Sequence, residues 1–259
     1  MKRVLLAVLL LFAAIRAEAI DWTDIWYNPQ QPGYGYNLVQ SDSFIFVTFF
    51  VFDAAGAATW YSAETTWDGT DSYKGIVYKS VGTFFGAPWV PANSRADAVG
   101  TATFKPSATN NYQGTFSYTV TGVGSAAQAL ERQTLTPIAT GGSYLGGQSG
   151  AYSGCTAAAA NGAYTDRFDL VVTHLVDGSA TLAFAYMNGL SCTLAGKYEQ
   201  HGQYYLIRNA AYKCSDGLDT TAQVTEIKAT ALGYEGRYVA PNVGGGCAEG
   251  ATFAAVLVQ

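Results

Sequence analysis

The residues able to do acid–base or nucleophilic work are few and scattered. His174 and His201 are the only imidazoles in the chain. His174 falls inside a segment with strand alternation and His201 sits at a turn beside Gly202, so both read as structural or solvated rather than as bases. Ser143, Ser149 and Ser153 lie in Gly-rich sequence, where a hydroxyl serves the turn, and there is no Gly-x-Ser-x-Gly elbow. Carboxylates offer more. Glycoside hydrolysis needs an acid of raised pKa and a second carboxylate within about 5–10 Å. Asp53, Glu64, Asp68 and Asp71 are the candidates. Three of them stand in turns, where Asp commonly bonds its own backbone. Glu64 stands on a strand after Trp60-Tyr61, so a carboxylate-dependent hydrolase would use Glu64 with Asp53. Asp68-Gly-Thr-Asp71 supplies two carboxylates but not the further oxygens that Ca²⁺ takes, so no metal and no cofactor is expected.

Aromatic side chains are the larger resource, with 5 Trp, 18 Tyr and 13 Phe. Successive strand residues point to opposite faces. Trp60 and Tyr61 therefore oppose each other, as do Trp26 and Tyr27 if extended. Trp26 and Trp60 read as core. Trp67 and Trp89 read as loop residues free to stack on a sugar face or an apolar ring. This reading places a ligand site in an aromatic cleft of Tyr27, Tyr61, Trp67 and Trp89, with Asn28 and Glu64 as polar contacts. The expected partner is a glycan or small apolar ligand bound without catalysis. A surface interaction protein and the hydrolase are the alternatives.

The elements that must position these residues are strands. Tyr34, Tyr36 and Leu38 alternate with Gly35, Asn37 and Val39. Phe44 to Phe52 is apolar on both faces, which suggests a strand buried on both sides or covered by aromatic neighbours. Asp53-Ala-Ala-Gly56, Asp177-Gly178 and Asn188-Gly189 are hairpin turns. Short strands with turn signals about every ten residues mark a meander, sandwich or barrel. Pro137 to Gly150 reads as a Gly-rich boundary. All 5 tryptophans precede it, and all 4 cysteines and both histidines follow it. The expectation is an all-β chain of two small antiparallel β-barrels or sandwiches in tandem, covering 20–138 and 139–259.

Residues 1–19 read as a signal peptide: Lys2 and Arg3, an apolar run from Val4 to Ile15, then Ala17-Glu18-Ala19 as cleavage site. Removing the leader shifts the formal net charge from −5 to −7, because Lys2, Arg3, Arg16 and Glu18 go with it. An acidic chain with no basic cluster is a poor partner for nucleic acid. The chain is expected in the periplasm or secreted, with no membrane span after cleavage. In that setting Cys155, Cys192, Cys214 and Cys247 read as two disulfides. Cys192 and Cys214 flank a hairpin turning at Gln200 to Gln203, so those two are paired, and Cys155 with Cys247 ties the second half's start to its end.

The stretch Trp26-Tyr27-Asn28-Pro29-x3-Gly33-x-Gly35, followed by an aromatic strand ending Phe52-Asp53-x2-Gly56-x3-Trp60, resembles a segment of uncharacterised secreted proteobacterial proteins. The likeness runs on through Phe85-Gly86-Ala87-Pro88 and Gly114-Thr115-Phe116-Ser117-Tyr118 to Arg132-Gln133. It implies export and a β domain for the first half. That family has no activity to carry over.

Overall fold

The computed structural model describes residues 20–230 and 232–258. The expected signal peptide, residues 1–19, therefore lies outside the described residues. The first eight strands are β1 (Asp24–Tyr27), β2 (Gly35–Ser41), β3 (Phe44–Phe52), β4 (Ala58–Trp67), β5 (Tyr73–Val81), β6 (Arg95–Pro106), β7 (Gln113–Val120) and β8 (Gly124–Arg132). Each pairs antiparallel with the next, and β8 pairs back onto β1 at Trp26↔Arg132 and Tyr27↔Glu131, closing a barrel. Closure leaves no edge strand to recruit another chain. The inward positions carry large rings and aliphatics, among them Trp26, Tyr36, Leu38, Phe49, Tyr61 and Phe104, and these form the first core. Eight strands enclose a space that side chains alone can fill. Gly75 and Gly100 mark tight corners. A Cβ on either would stand 1.7 or 1.8 Å from the carbonyl oxygen of Glu64 or Thr119 on the adjacent strand. Only glycine admits so close an approach.

The second half contains β9 (Gly142–Ser153), β10 (Gly162–His174), β11 (Ser179–Tyr186), β12 (Ser191–Lys197), β13 (Glu199–His201), β14 (Tyr204–Cys214), β15 (Asp219–Ala229), β16 (Gly233–Ala240) and β17 (Ala248–Leu257). β17 returns to β9, and β12 pairs with β14, so β9–β12 and β14–β17 form a ring of pairings. The short β13 is a flap on the start of β14. The all-β expectation therefore holds, and both halves are antiparallel meanders.

One part of the sequence reading is corrected. Much of the Gly-rich stretch assigned to the boundary is β9, a strand paired on both sides, with β10 and β17. Its glycines make room for neighbours. A Cβ on Gly150 would stand 2.6 Å from the Tyr164 ring, and one on Gly146 would stand 2.2 Å from the Ala254 carbonyl oxygen. The connection between the barrels is the segment between Arg132 and Gly142.

Inside the second barrel Phe168, Leu170, Leu182, Phe184, Val224 and Phe253 build an apolar middle. Tyrosine hydroxyls lie towards both ends. At the end away from the first barrel, Glu249 is 3% exposed and accepts hydrogen bonds from Tyr164, Tyr238 (2.9 Å) and Tyr212 (3.2 Å). Both disulfides lie at this end: Cys155 is bonded to Cys247, and Cys192 to Cys214. The second bridge crosses the β12–β14 seam, where those two cysteines face each other in register.

The barrels meet at Arg132. Its side chain is fully buried and spends its donors on Asn111 O (3.1 Å), Thr23 O (3.2 Å), Asp21 O (2.6 Å) and Asp24 Oδ2 (3.0 Å). The guanidinium lies 4.7 Å from the Trp26 ring of the first barrel and 4.8 Å from the Tyr204 ring of the second. Asp24 Oδ2 also accepts the Gln203 N–H across the junction, and the His201 ring stacks on Tyr112 at 4.8 Å.

Candidate functional site

The expected cleft residues are placed at separate points. Tyr27 points outward, and its hydroxyl donates to Glu131 Oε1 at 3.0 Å. Asn28 is buried, donating to Gln128 Oε1 at 2.8 Å and accepting from Gln30 N. Tyr61 is inside the barrel, stacked on Phe49 at 5.4 Å. Glu64 stands exposed on the outer wall. Trp67 is the last residue of β4, with its ring edge-on to Tyr73 at 5.1 Å. Trp89 is in the β5–β6 loop. Because Trp67 pairs with Tyr73 at the start of β5, and the Trp89 loop follows Val81 at its end, the two indoles lie at opposite ends of the barrel. The strand between them spans about 25 Å at its usual rise. These residues share no cleft.

The acid pair separates in the same way. Phe52 pairs with Ala58, and Glu64 lies six residues further along β4. Asp53 is thus about 20 Å from Glu64, beyond the reach of a paired-carboxylate mechanism. Asp53 Oδ1 instead accepts the Ala55 and Ala57 N–H groups and caps its own turn. Asp68 is consumed likewise. Oδ1 accepts from Thr70, Asp71 and Ser72 N–H, while Oδ2 accepts from Ser72 Oγ and pairs with Lys74 at 2.7 Å. The Lys74 contact, followed by those hydrogen bonds, holds its carboxyl well below the usual range. Asp71 pairs with Lys105. Both carboxylates belong to the turn. Among the described residues no group of three or more His, Cys, Asp and Glu could hold a metal.

What the fold does assemble is an aromatic wall outside β2–β5. Register fixes its rows. Phe50 stands opposite Trp60, and the Phe52 ring contacts Tyr34 at 5.7 Å. The next outward row is Asn37, Thr48, Ser62 and Tyr78, all polar. The one after is Val39, Phe46, Glu64 and Ile76. Phe46, Phe50, Phe52 and Trp60 are 37%, 51%, 47% and 46% exposed. Ser62 points outward yet is only 8% exposed, because its larger neighbours close over it. The wall is thus a continuous surface, with a polar row between an aromatic row and a mainly apolar one that carries Glu64.

Two expectations are corrected by this register. Trp60 faces solvent while Tyr61 enters the core. β3 is buried on one side only, and its second set of rings is bare. The two-sided apolarity of Phe44 to Phe52 was the signal for this wall. Alternation alone could not say which of Trp60 and Tyr61 would be outside, because that depends on pairing with β3.

The wall covers one side of the barrel. Outward positions on β6–β8 are small and mostly polar, including Thr101, Thr103, Ser117, Thr119, Ser125 and Ala127. A barrel spanning lipid needs an apolar girdle around its whole circumference. At the domain junction a groove is lined by charges of both signs: Lys228 contacts Asp21 at 3.6 Å and stands opposite Glu235 in register, and Arg237 lines it as well. The Glu249 cluster is enclosed. Burial raises the pKa values of Tyr164, Tyr212 and Tyr238, so they stay protonated as donors to the carboxylate. The carboxylate of that cluster is therefore spent on its own tyrosine partners.

No protein-family profile matches the chain, and a search of the curated proteins finds no match.

Proposed function

We propose that the protein is an exported, non-enzymatic binding protein whose first barrel holds a glycan against the outer wall of β2–β5. The observation that carries this reading is the row order of the wall. Sugars present apolar C–H faces and hydroxyl edges together. Here Phe50 and Trp60 offer ring faces, Asn37, Thr48 and Tyr78 of the row between offer donors and acceptors, and Phe46 offers a further ring beyond it. Phe46 and Phe50 are four residues apart on one face of β3, about 13 Å, so an extended chain fits better than a single small molecule. The filled interior of the first barrel supports the outer wall over an internal pocket as the seat. Export is supported by the leader motif and by the two disulfides, which form and persist in oxidising compartments. Among the described residues no helix is long and apolar enough to cross a membrane.

The test is binding to a panel of soluble and insoluble cell-wall and plant polysaccharides, with wild type compared against Trp60→Ala, Phe50→Ala and Glu64→Gln. Loss of a stacked ring is expected to weaken binding by about 1–3 kcal/mol, roughly fivefold to 150-fold, by analogy with aromatic stacking on other flat ligands. Glu64→Gln is expected to leave no catalytic deficit, because no turnover is expected from wild type. Wild type that binds no glycan, or that turns one over through Glu64, would overturn the reading.

A further inference from the structure

The end of the first barrel that faces away from the second carries almost no charge. Connections 53–57, 82–94 and 121–123 lie there, joined by the end of 28–34 at Tyr34. Asp53 is their one charged residue, and it is spent on its own turn. The β5–β6 connection is the most prominent. Phe84, Phe85 and Trp89 are 67%, 96% and 64% exposed, and Val90 and Val123 are also exposed. The loop is well organised. Thr83 Oγ1 accepts the Val90 N–H at 3.0 Å and donates to Val90 O at 3.1 Å, closing its base. Ala87 N–H bonds Phe84 O at 2.9 Å, making a turn whose two Phe rings touch at 4.8 Å. A Cβ on Gly86 would meet the Phe84 ring at 2.6 Å, so the ring lies directly over the glycine.

We propose that this loop is a membrane-contacting tip that inserts Phe84, Phe85 and Trp89 into the interfacial region of an uncharged lipid surface. This is independent of the glycan reading, which concerns the wall. Three observations select lipid over another occupant. First, the finger is convex. A protein partner would have to supply a deep matching pocket, whereas a fluid apolar medium needs no fixed shape. Second, the finger has almost nothing with which to recognise a polar ligand. Thr83 is the one polar side chain between Gly82 and Pro91, and the loop's own base occupies it. Third, its composition suits the interface, where Phe enters the acyl boundary and Trp sits at the headgroup level. Charge then selects the lipid. Lys79, Arg95 and Asp97 stand just below the loop, with Arg95 bonded to Asp97 at 2.9 Å, and the mature chain is acidic. That balance gives little attraction to anionic headgroups, so zwitterionic phosphatidylcholine or phosphatidylethanolamine is the expected surface. Contact at the far pole leaves the second barrel standing off the bilayer.

The experiment uses the disulfide-bonded chain from Ile20 onward and sonicated phosphatidylcholine vesicles. Co-flotation measures the partition coefficient of wild type and of the Phe84→Ser/Phe85→Ser double variant. Wild type is expected to float with vesicles, and the variant to lose about a hundredfold in partition coefficient with an unchanged thermal transition, since both rings are already in water in the free protein. A second readout does not depend on the variant folding. Vesicles brominated on their acyl chains should quench wild-type Trp fluorescence, and Trp89→Phe should remove that quenching. Wild type left unbound by lipid in large excess would overturn the proposal. So would a double variant that floats like wild type, quenching that survives Trp89→Phe, or capture by a protein or glycan without capture by vesicles.

Discussion

Replacing Arg132 by Met should both destabilise the molecule and uncouple its barrels. The substitution removes four hydrogen bonds from one guanidinium, to Asn111, Thr23, Asp21 and Asp24, and its contacts with the Trp26 and Tyr204 rings. Methionine keeps an apolar stem beside Trp26, so little packing is lost. What dominates is the group left behind. The Asp24 side chain is 12% exposed and would retain the Gln203 and Ile25 N–H groups but no cation. Removing one partner of a buried pair costs about 3–5 kcal/mol. A domain has only about 5–15 kcal/mol of stability to lose. Urea unfolding provides two probes. All 5 tryptophans lie in the first barrel, so their fluorescence reports on that barrel alone, whereas far-ultraviolet circular dichroism reports on both. The two transitions should coincide in wild type and separate in Arg132→Met, with the fluorescence midpoint falling. Asp24→Asn should cost less, and a double-mutant cycle should give a coupling of about 1 kcal/mol or more. A loss below about 1 kcal/mol with transitions still coincident would refute this account of the junction.

Other expectations follow from the same geometry. Replacing both Cys192 and Cys214 by Ser opens a loop of 22 residues and should cost about 3 kcal/mol by chain entropy; removing Cys155–Cys247, with its separation of 92, should cost about 4.6, both read from urea midpoints without reductant. Glu249→Gln turns an acceptor shared by three tyrosine hydroxyls into a group that must itself donate, and should lower stability by about 1–3 kcal/mol with secondary structure retained. Burial lowers the pKa of His201 below 6.5, so the unfolded chain binds its proton first. Its contribution at the Tyr112 stack is therefore present above about pH 6.5 and lost as pH falls below it, and His201→Gln should flatten that slope in unfolding free energy. Burial likewise pushes Tyr112 and Tyr198 up to about 12, so stability should fall as pH rises above 10, the unfolded value, and phenolate absorbance should appear together with unfolding.

The strands, their turns and the disulfide pairing were legible because each is a local or near-local signal. Asp177-Gly178 and Asn188-Gly189 turn where the sequence requires, with Gly178 and Gly189 at φ +82° and +87°. Closure was beyond reach, because whether β8 returns to β1 is a property of the ring and not of any segment. β9 was missed for the opposite reason. Its glycines look like linker in sequence, and their purpose appears only beside Tyr164 and Ala254. The residues of the proposed binding surface were half legible. A surplus of rings pointed to the first barrel, but choosing Trp60 over Tyr61 requires knowing that Phe49 faces inward and Phe50 outward. Trp67 and Trp89 looked like one pair because both flank β5 in sequence. A strand separates its two ends, and so it put them at opposite poles.

The central claim, that the outer wall of β2–β5 is the binding surface, is tested most directly by backbone and aromatic chemical-shift mapping of the first barrel with a bound oligosaccharide. The account predicts that shifts concentrate on Phe46, Thr48, Phe50, Trp60 and Ser62, with the inward residues Phe49 and Tyr61 little moved. Shifts confined to β6–β8, to the barrel interior or to the second barrel would contradict it.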